Sequence, residues 1–196
     1  MDESDPPFPF PGTPESVEAM KRFTLAYGMA LAAWAQLEDR MCLAFNGLVA
    51  VPHKMARGLF FSGRSFATRA DLYAAAITHA NVNDTCRRAH KYLLKKARRY
   101  SSSRNSIAHG TVMHLIGGGP YEGYRVKKGQ QSFERGGIGE NDLLVATKNF
   151  SGLTICFFKL ALAKSDDIIE ECLAQARELP TLALPHEPTP TDEGSE

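Results

Sequence analysis

Phe23 to Leu48 reads FTLAYGMALAAWAQLEDRMCLAFNGL, and Phe23, Tyr27, Ala30, Trp34, Leu37, Met41, Ala44 and Leu48 recur along it at steps of three and four. On a helix of 3.6 residues per turn that spacing draws one apolar stripe, whereas a half-buried strand would alternate. The stretch therefore predicts a long helix with one face in a core. Its start is marked by Pro14, tolerated in a first turn, with Thr13 as N-cap and Glu15 and Glu18 at the positive end of the dipole. Pro52 closes it.

Working outward, His53 to Phe61 predicts a short second helix ending at Ser62-Gly63, and Phe66, Ala70, Tyr73, Ile77 and Ala80 predict a third. Asp84 or Thr85 caps a fourth, with Cys86, His90, Leu93, Ala97 and Tyr100 on one side and Arg88, Lys91, Lys95, Arg98 and Arg99 largely on the other. After Gly110 the pattern changes. Thr111 to Ile116 and Tyr121 to Val126 alternate loosely around Gly117-Gly118-Gly119-Pro120, which predicts a β-hairpin insertion. Leu143 to Lys148 either adds a third strand or leads into the next helix, a last one capped by Ser151 and ended by Pro180. The expected fold class is mainly α, an antiparallel bundle of four to five helices with a small hairpin insertion. The expected organisation is a Pro-rich arm over 1–13, one helical domain over 14–179 with its insertion at about 111–148, and an acidic, Pro-rich disordered tail over 180–196.

Composition bounds what such a chain does. At 196 residues and 43% hydrophobic it can bury a sizeable core. The first 14 residues carry five prolines and no apolar h-region, unlike a signal peptide. Apolar runs are interrupted by charge short of the ~20 residues of a membrane span, so the expectation is a cytoplasmic protein without a membrane partner. Cys42, Cys86, Cys156 and Cys172 lie far apart among apolar neighbours, which fits reduced, buried thiols. His53, His79, His90 and His114 show no metal-ligand spacing with them, and neither metal nor cofactor is expected.

Net charge is only +1, yet eight of the nineteen residues from Cys86 to Arg104 are Lys or Arg and none is acidic. The run leads into Arg104-Asn105-Ser106-Ile107-Ala108-His109-Gly110. Arg104 continues the fourth helix's apolar stripe, and a guanidinium withdrawn from water needs a carboxylate or a phosphate for its donors. Glu38, bordering the first helix's stripe, is the best candidate carboxylate, with Glu18 behind it. His109 follows Arg104 by five residues, about 140° around a straight helix and roughly 7.5 Å along it. Their convergence needs the long Arg side chain, a helix end at Gly110, or a second copy across a two-fold axis. An imidazole in a last helical turn feels the negative end of the dipole and is suited to proton transfer.

Arg104-Asn105-Ser106-Ile107-Ala108-His109 resembles the signature of the HEPN superfamily, all-α domains marked by an Arg, four to six residues of which the first is usually Asn, and a His. Trp34-Ala35-Gln36-Leu37-Glu38 on a long early helix and Ala108-His109-Gly110 at the end of a late one resemble its landmarks too. The likeness covers roughly Pro14 to Gly110 plus the last helix. It implies a metal-independent endoribonuclease in which the ribose 2′-hydroxyl attacks the adjacent phosphorus and leaves a 2′,3′-cyclic phosphate. His109 would be general acid or base, Arg104 would hold the scissile phosphate, Asn105 would orient substrate or His109, and Glu38 would fix Arg104. Lys91, Lys95, Arg98 and Arg99 would attract the RNA backbone. The resemblance further implies a homodimer with both motifs at one cleft, a toxin or phage-defence role, and a nucleotidyltransferase-type antitoxin as partner. The same residues also fit a non-catalytic dimeric module that binds or scaffolds RNA, a nucleotide or a partner protein, with Arg104 and His109 as ion pair and helix cap.

Overall fold

The computed structural model of the chain describes residues 14–109, 111–113, 122–124 and 137–182. Among these, six helices form: α1 (Pro14–Val49), α2 (His53–Ser62), α3 (Phe66–His79), α4 (Asp84–His109), α5 (Glu140–Leu162) and α6 (Asp166–Glu178). Their side-chain contacts give the directions. Arg22 meets Glu140 while Arg40 lies over Phe158, so α1 and α5 run parallel. Tyr73 meets His90 and Asp71 meets Arg98, so α4 runs back along α3. Arg88 meets Glu170 and Lys96 meets Ala176, which places α6 parallel to α4. The result is a helical bundle in which α4 and α6 oppose α1, α3 and α5.

The apolar stripe of α1 is the spine of the core, with Ala30, Trp34, Leu37, Met41 and Ala44 all enclosed. Trp34 packs edge-on against Phe66 of α3 at 5.0 Å and Phe150 of α5 at 5.1 Å, and Tyr100 of α4 reaches the same Phe150. A cluster of this kind gains burial and edge-to-face attraction together. Gly152 of α5 lies against Leu179, just past α6, where a Cβ would come within 2.6 Å of a terminal methyl of that side chain. At the end of α1, Ala50 takes a positive φ of 51° and its N–H reaches Asn46 O at 3.2 Å, a left-handed turn that any residue but glycine adopts at a cost.

Several expectations are corrected. The bundle has six helices among the described residues, where four to five were expected. The last helix is two, because Ser165-Asp166-Asp167 restarts the chain with an extended residue and two first-turn acids. Leu143 to Lys148 is helix and not strand: Leu143, Ala146, Phe150 and Leu153 are enclosed at helical steps, so the segment after residue 140 belongs to α5 and not to an insertion. The α4 cap is Asn83, whose Oδ1 accepts from Cys86 N at 2.8 Å, one or two positions before the expected Asp84 or Thr85. Residues 180–182 are not tail: Pro180 O accepts from the Tyr100 hydroxyl at 2.7 Å, and Leu182 is buried. Of the four thiols, Cys86 is half-buried while the other three are enclosed.

By length and composition α5 is apolar enough to cross a membrane, although Lys148 and Lys159 interrupt its apolar run as the sequence led one to expect. Eight of its residues face the bundle interior, and packing along α1 is what its apolar character serves here. Beyond α4, β1 (Thr111–Met113) pairs antiparallel with β2 (Glu122–Tyr124), Thr111 opposite Tyr124. The arm over 1–13 with Thr13, Gly110, His114, the Gly117 to Pro120 break, Lys127, Lys128, Arg135 and the tail beyond 182 lie outside the described residues.

Candidate functional site

The exposed side of α4 is built by the same periodicity that builds its buried side. Ala89, Leu93, Ala97, Tyr100, Ser103 and Ile107 are enclosed, while Lys91, Lys95, Arg98, Ser102, Asn105 and His109 are exposed. The exposed six follow one another at steps of four, three, four, three and four. His109 stands eighteen residues beyond Lys91, about five full turns, so the two share one face about 27 Å apart along the axis. The imidazole thus ends a polar stripe that begins with cations.

What each cation does was not legible from charge alone. Arg87 caps the C-terminus of α3, donating to the carbonyls of Ile77, Thr78 and Ala80. Lys96 caps α6 in the same way, through Ala176 O at 2.9 Å and Leu179 O. Both exploit the negative end of a neighbouring helix. Burial, aided by the positive charge of Arg99, pulls the Lys96 ammonium below its ordinary pKa. Arg88 pairs with Glu170 at 3.1 Å and Arg98 with Asp71 at 2.6 Å. That leaves Lys91, Lys95 and Arg99 with no acidic partner among the described residues.

The four residues expected to bind RNA come together. Lys91, Lys95, Arg98 and Arg99 rim an open groove of about 500 Å³ between α4 and α3, floored by Ala74, Ile77 and Leu94, with Thr78 at its edge. Lys95 and Arg99 also border a smaller hollow of about 120 Å³ with Tyr92, Lys96 and Thr181. The α3 side of the groove escaped sequence reasoning, since nothing in the sequence pairs Ala74 with Leu94. Ser102 escaped it as well, although the four-three spacing from Lys91 to His109 was there to be read.

Arg104 departs from expectation. The apolar face continues through Ser103 and Ile107, the centre of the stripe having drifted between positions 103 and 104, and Arg104 lies half-buried at its border. Its Nη1 donates to Asn105 Oδ1 at 3.2 Å, while its buried Nε has no hydrogen-bond partner. Glu38 does not fix it. The Glu38 carboxylate accepts from Arg69 Nη2 at 2.6 Å, both side chains being about 15% exposed (14% and 16%), because α1 and α3 run side by side there and Arg69 also lies over Phe61. Glu18, the weaker candidate, pairs with Lys21. Arg104 and His109 remain about 140° apart on an unbroken helix, and no hydrogen bond joins them among the described residues. Asn105, which accepts from Arg104, lies one turn before His109 on the same face of the helix.

The histidines divide in the same way. His90 is enclosed, with Nδ1 2.7 Å from the Tyr73 hydroxyl, and burial lowers its pKa to about 4. It is a neutral core residue that holds α3 to α4. His109 is exposed at the helix end. No group of three metal-ligating side chains gathers among the described residues. Comparison with known proteins gives no matching family model, no matching curated protein and no matching solved structure.

Proposed function

We propose that this protein is a metal-independent endoribonuclease of HEPN type. The observation that carries the reading is the exposed stripe of α4, in which Lys91 and Lys95, without acidic partners among the described residues, lead through Arg98 to Asn105 and His109 on one face. A polyanion laid along that face reaches an imidazole. His109 accepts the proton of the ribose 2′-hydroxyl, or donates one to the departing 5′-oxygen, while the 2′-oxygen bonds to phosphorus. The bond to the 5′-oxygen breaks, giving a 2′,3′-cyclic phosphate and a 5′-hydroxyl. Arg104, through the nitrogens that Asn105 does not occupy, stabilises charge on the phosphoryl oxygens.

Because one copy separates Arg104 from His109 around the helix, the reading requires a homodimer in which the motif of each copy completes the other's site. The β1–β2 pairing directly after His109 is read as the insertion of this subgroup. A cytoplasmic toxin or phage-defence effector, restrained by a nucleotidyltransferase-type antitoxin, is the setting that the resemblance supplies.

One observation favours the non-catalytic dimeric binding module instead, namely the engagement of Arg104 by Asn105 off the line of the stripe. The two readings separate on incubation of RNA with the purified protein in EDTA, comparing wild type with His109→Ala. Cleavage by wild type alone, leaving cyclic-phosphate ends, supports the nuclease. RNA bound equally by both proteins and cut by neither removes it and leaves the binding module.

A further inference from the structure

The α3–α4 groove joins two chemistries that a phosphate contact alone does not need. Its rim is cationic, and its floor of Ala74 with the edges of Ile77 and Leu94 is apolar, extended by the methylene stems of the lysines and arginines themselves. Its volume of about 500 Å³ lies in the range of sites that enclose a small ligand. A lone inorganic anion would leave the floor uncovered. A duplex would do the same, since it offers phosphates outward and keeps its bases stacked inside. An unpaired nucleotide covers both, with a flat base for the floor and phosphates on either side for the rim.

We propose that this groove is an anchoring subsite for one unpaired nucleotide of single-stranded RNA, with its base against Ala74, Ile77 and Leu94 and its flanking phosphates on Lys91, Lys95 and Arg99. For its RNA ligand the proposal rests on the reading of the protein as an RNA-handling enzyme. The subsite is remote from the chemistry, because Arg99 and Lys91 precede His109 by about 15 and 27 Å of helix axis. Substrate is therefore gripped several nucleotides from the bond that breaks, and oligonucleotides too short to span that interval are poor substrates. Base identity at the subsite matters little. The Thr78 hydroxyl is already committed to Ala74 O at 3.1 Å and Arg98 to Asp71, so the groove presents few hydrogen-bonding groups that would read a base edge.

The test uses the full chain carrying His109→Ala, so that RNA is bound without being cut. A labelled, unstructured oligoribonucleotide and the same sequence in a blunt duplex are titrated by fluorescence anisotropy at several salt concentrations. The single strand is expected to bind about tenfold more tightly than the duplex at equal salt. Adding Lys91→Gln and Lys95→Gln is expected to weaken single-strand binding at least about tenfold and to lower the slope of log K against log salt by about 1.4, two single-strand phosphate contacts. Ala74→Asp, at a half-buried surface position, should weaken single-strand binding with a native circular dichroism spectrum. Equal affinity for duplex, an unchanged salt slope in the double variant, or displacement of the RNA by a free nucleoside monophosphate at micromolar concentration would overturn the subsite. Cleavage by the chain with His109 intact is scored separately. Groove-dependent binding without cleavage removes the endoribonuclease and keeps the subsite, whereas cleavage with groove-independent binding does the reverse.

Discussion

Arg87 and Lys91 stand one turn apart on α4 and carry the same charge. Arg87 turns its guanidinium onto the last carbonyls of α3, while Lys91 looks into an open groove with no acidic partner among the described residues. The lesson is that a basic run in sequence overstates the charge offered to a ligand. Arg87, Arg88, Lys96 and Arg98 hold the bundle together through carbonyls and carboxylates. Lys91, Lys95 and Arg99 are what a polyanion would meet.

The contrast breaks or sharpens under five substitutions. The largest effect falls on the exposed imidazole: His109→Ala should lower the rate of RNA cleavage by about 10²–10⁴-fold, measured on gels under single-turnover conditions, with no loss of urea stability. A rate within a factor of about three of wild type would remove His109 from proton transfer.

Next comes the enclosed imidazole. His90 titrates near 4 in the fold against about 6.5 in a free chain, so between those values the folded state binds fewer protons than the unfolded one. Its contribution is whole above pH 6.5 and is lost as the pH falls toward 4, on the order of 3 kcal/mol across the window. Urea melts at pH 7 and 4.5 should show that limb in wild type and in His109→Ala, and a flattened one in His90→Leu. Identical limbs in both variants would mean that burial does not separate the two histidines.

Arg87→Met strands several carbonyls at the end of α3 and should cost about 2 kcal/mol by urea unfolding, whereas Lys91→Met should stay within about 0.5 kcal/mol. Lys96→Met keeps the apolar stem and loses the cap on α6, for about 1 kcal/mol. Equal costs at positions 87 and 91 would erase the division between structural and available charge.

Most helix positions were legible because one physical signal, apolar residues at three-and-four spacing, specifies both the element and its buried face. α1, α2 and α3 fall within a residue or two of their expected bounds for that reason. The division of the last helix was legible too, in Ser165-Asp166-Asp167, but continuous apolarity on both sides of the break masked it. The pairing of Glu38 with Arg69 was not legible. Both residues lie at the borders of their stripes, and which cation reaches a border carboxylate depends on how neighbouring helices are placed in space. The same holds for the candidate site: its α4 residues could be gathered from periodicity, but its α3 wall depends on which helix packs alongside.

The five turns between Lys91 and His109 make α4 a ruler as well as a scaffold. Adding or removing one residue in Ser101-Ser102-Ser103 would swing everything after it by about 100° and carry the imidazole out of line with the cations, although composition and charge would hardly change. A change of seven residues, close to two turns, would preserve the phase and alter only the reach, so under the proposed function the length of one helix would set how long a strand is gripped.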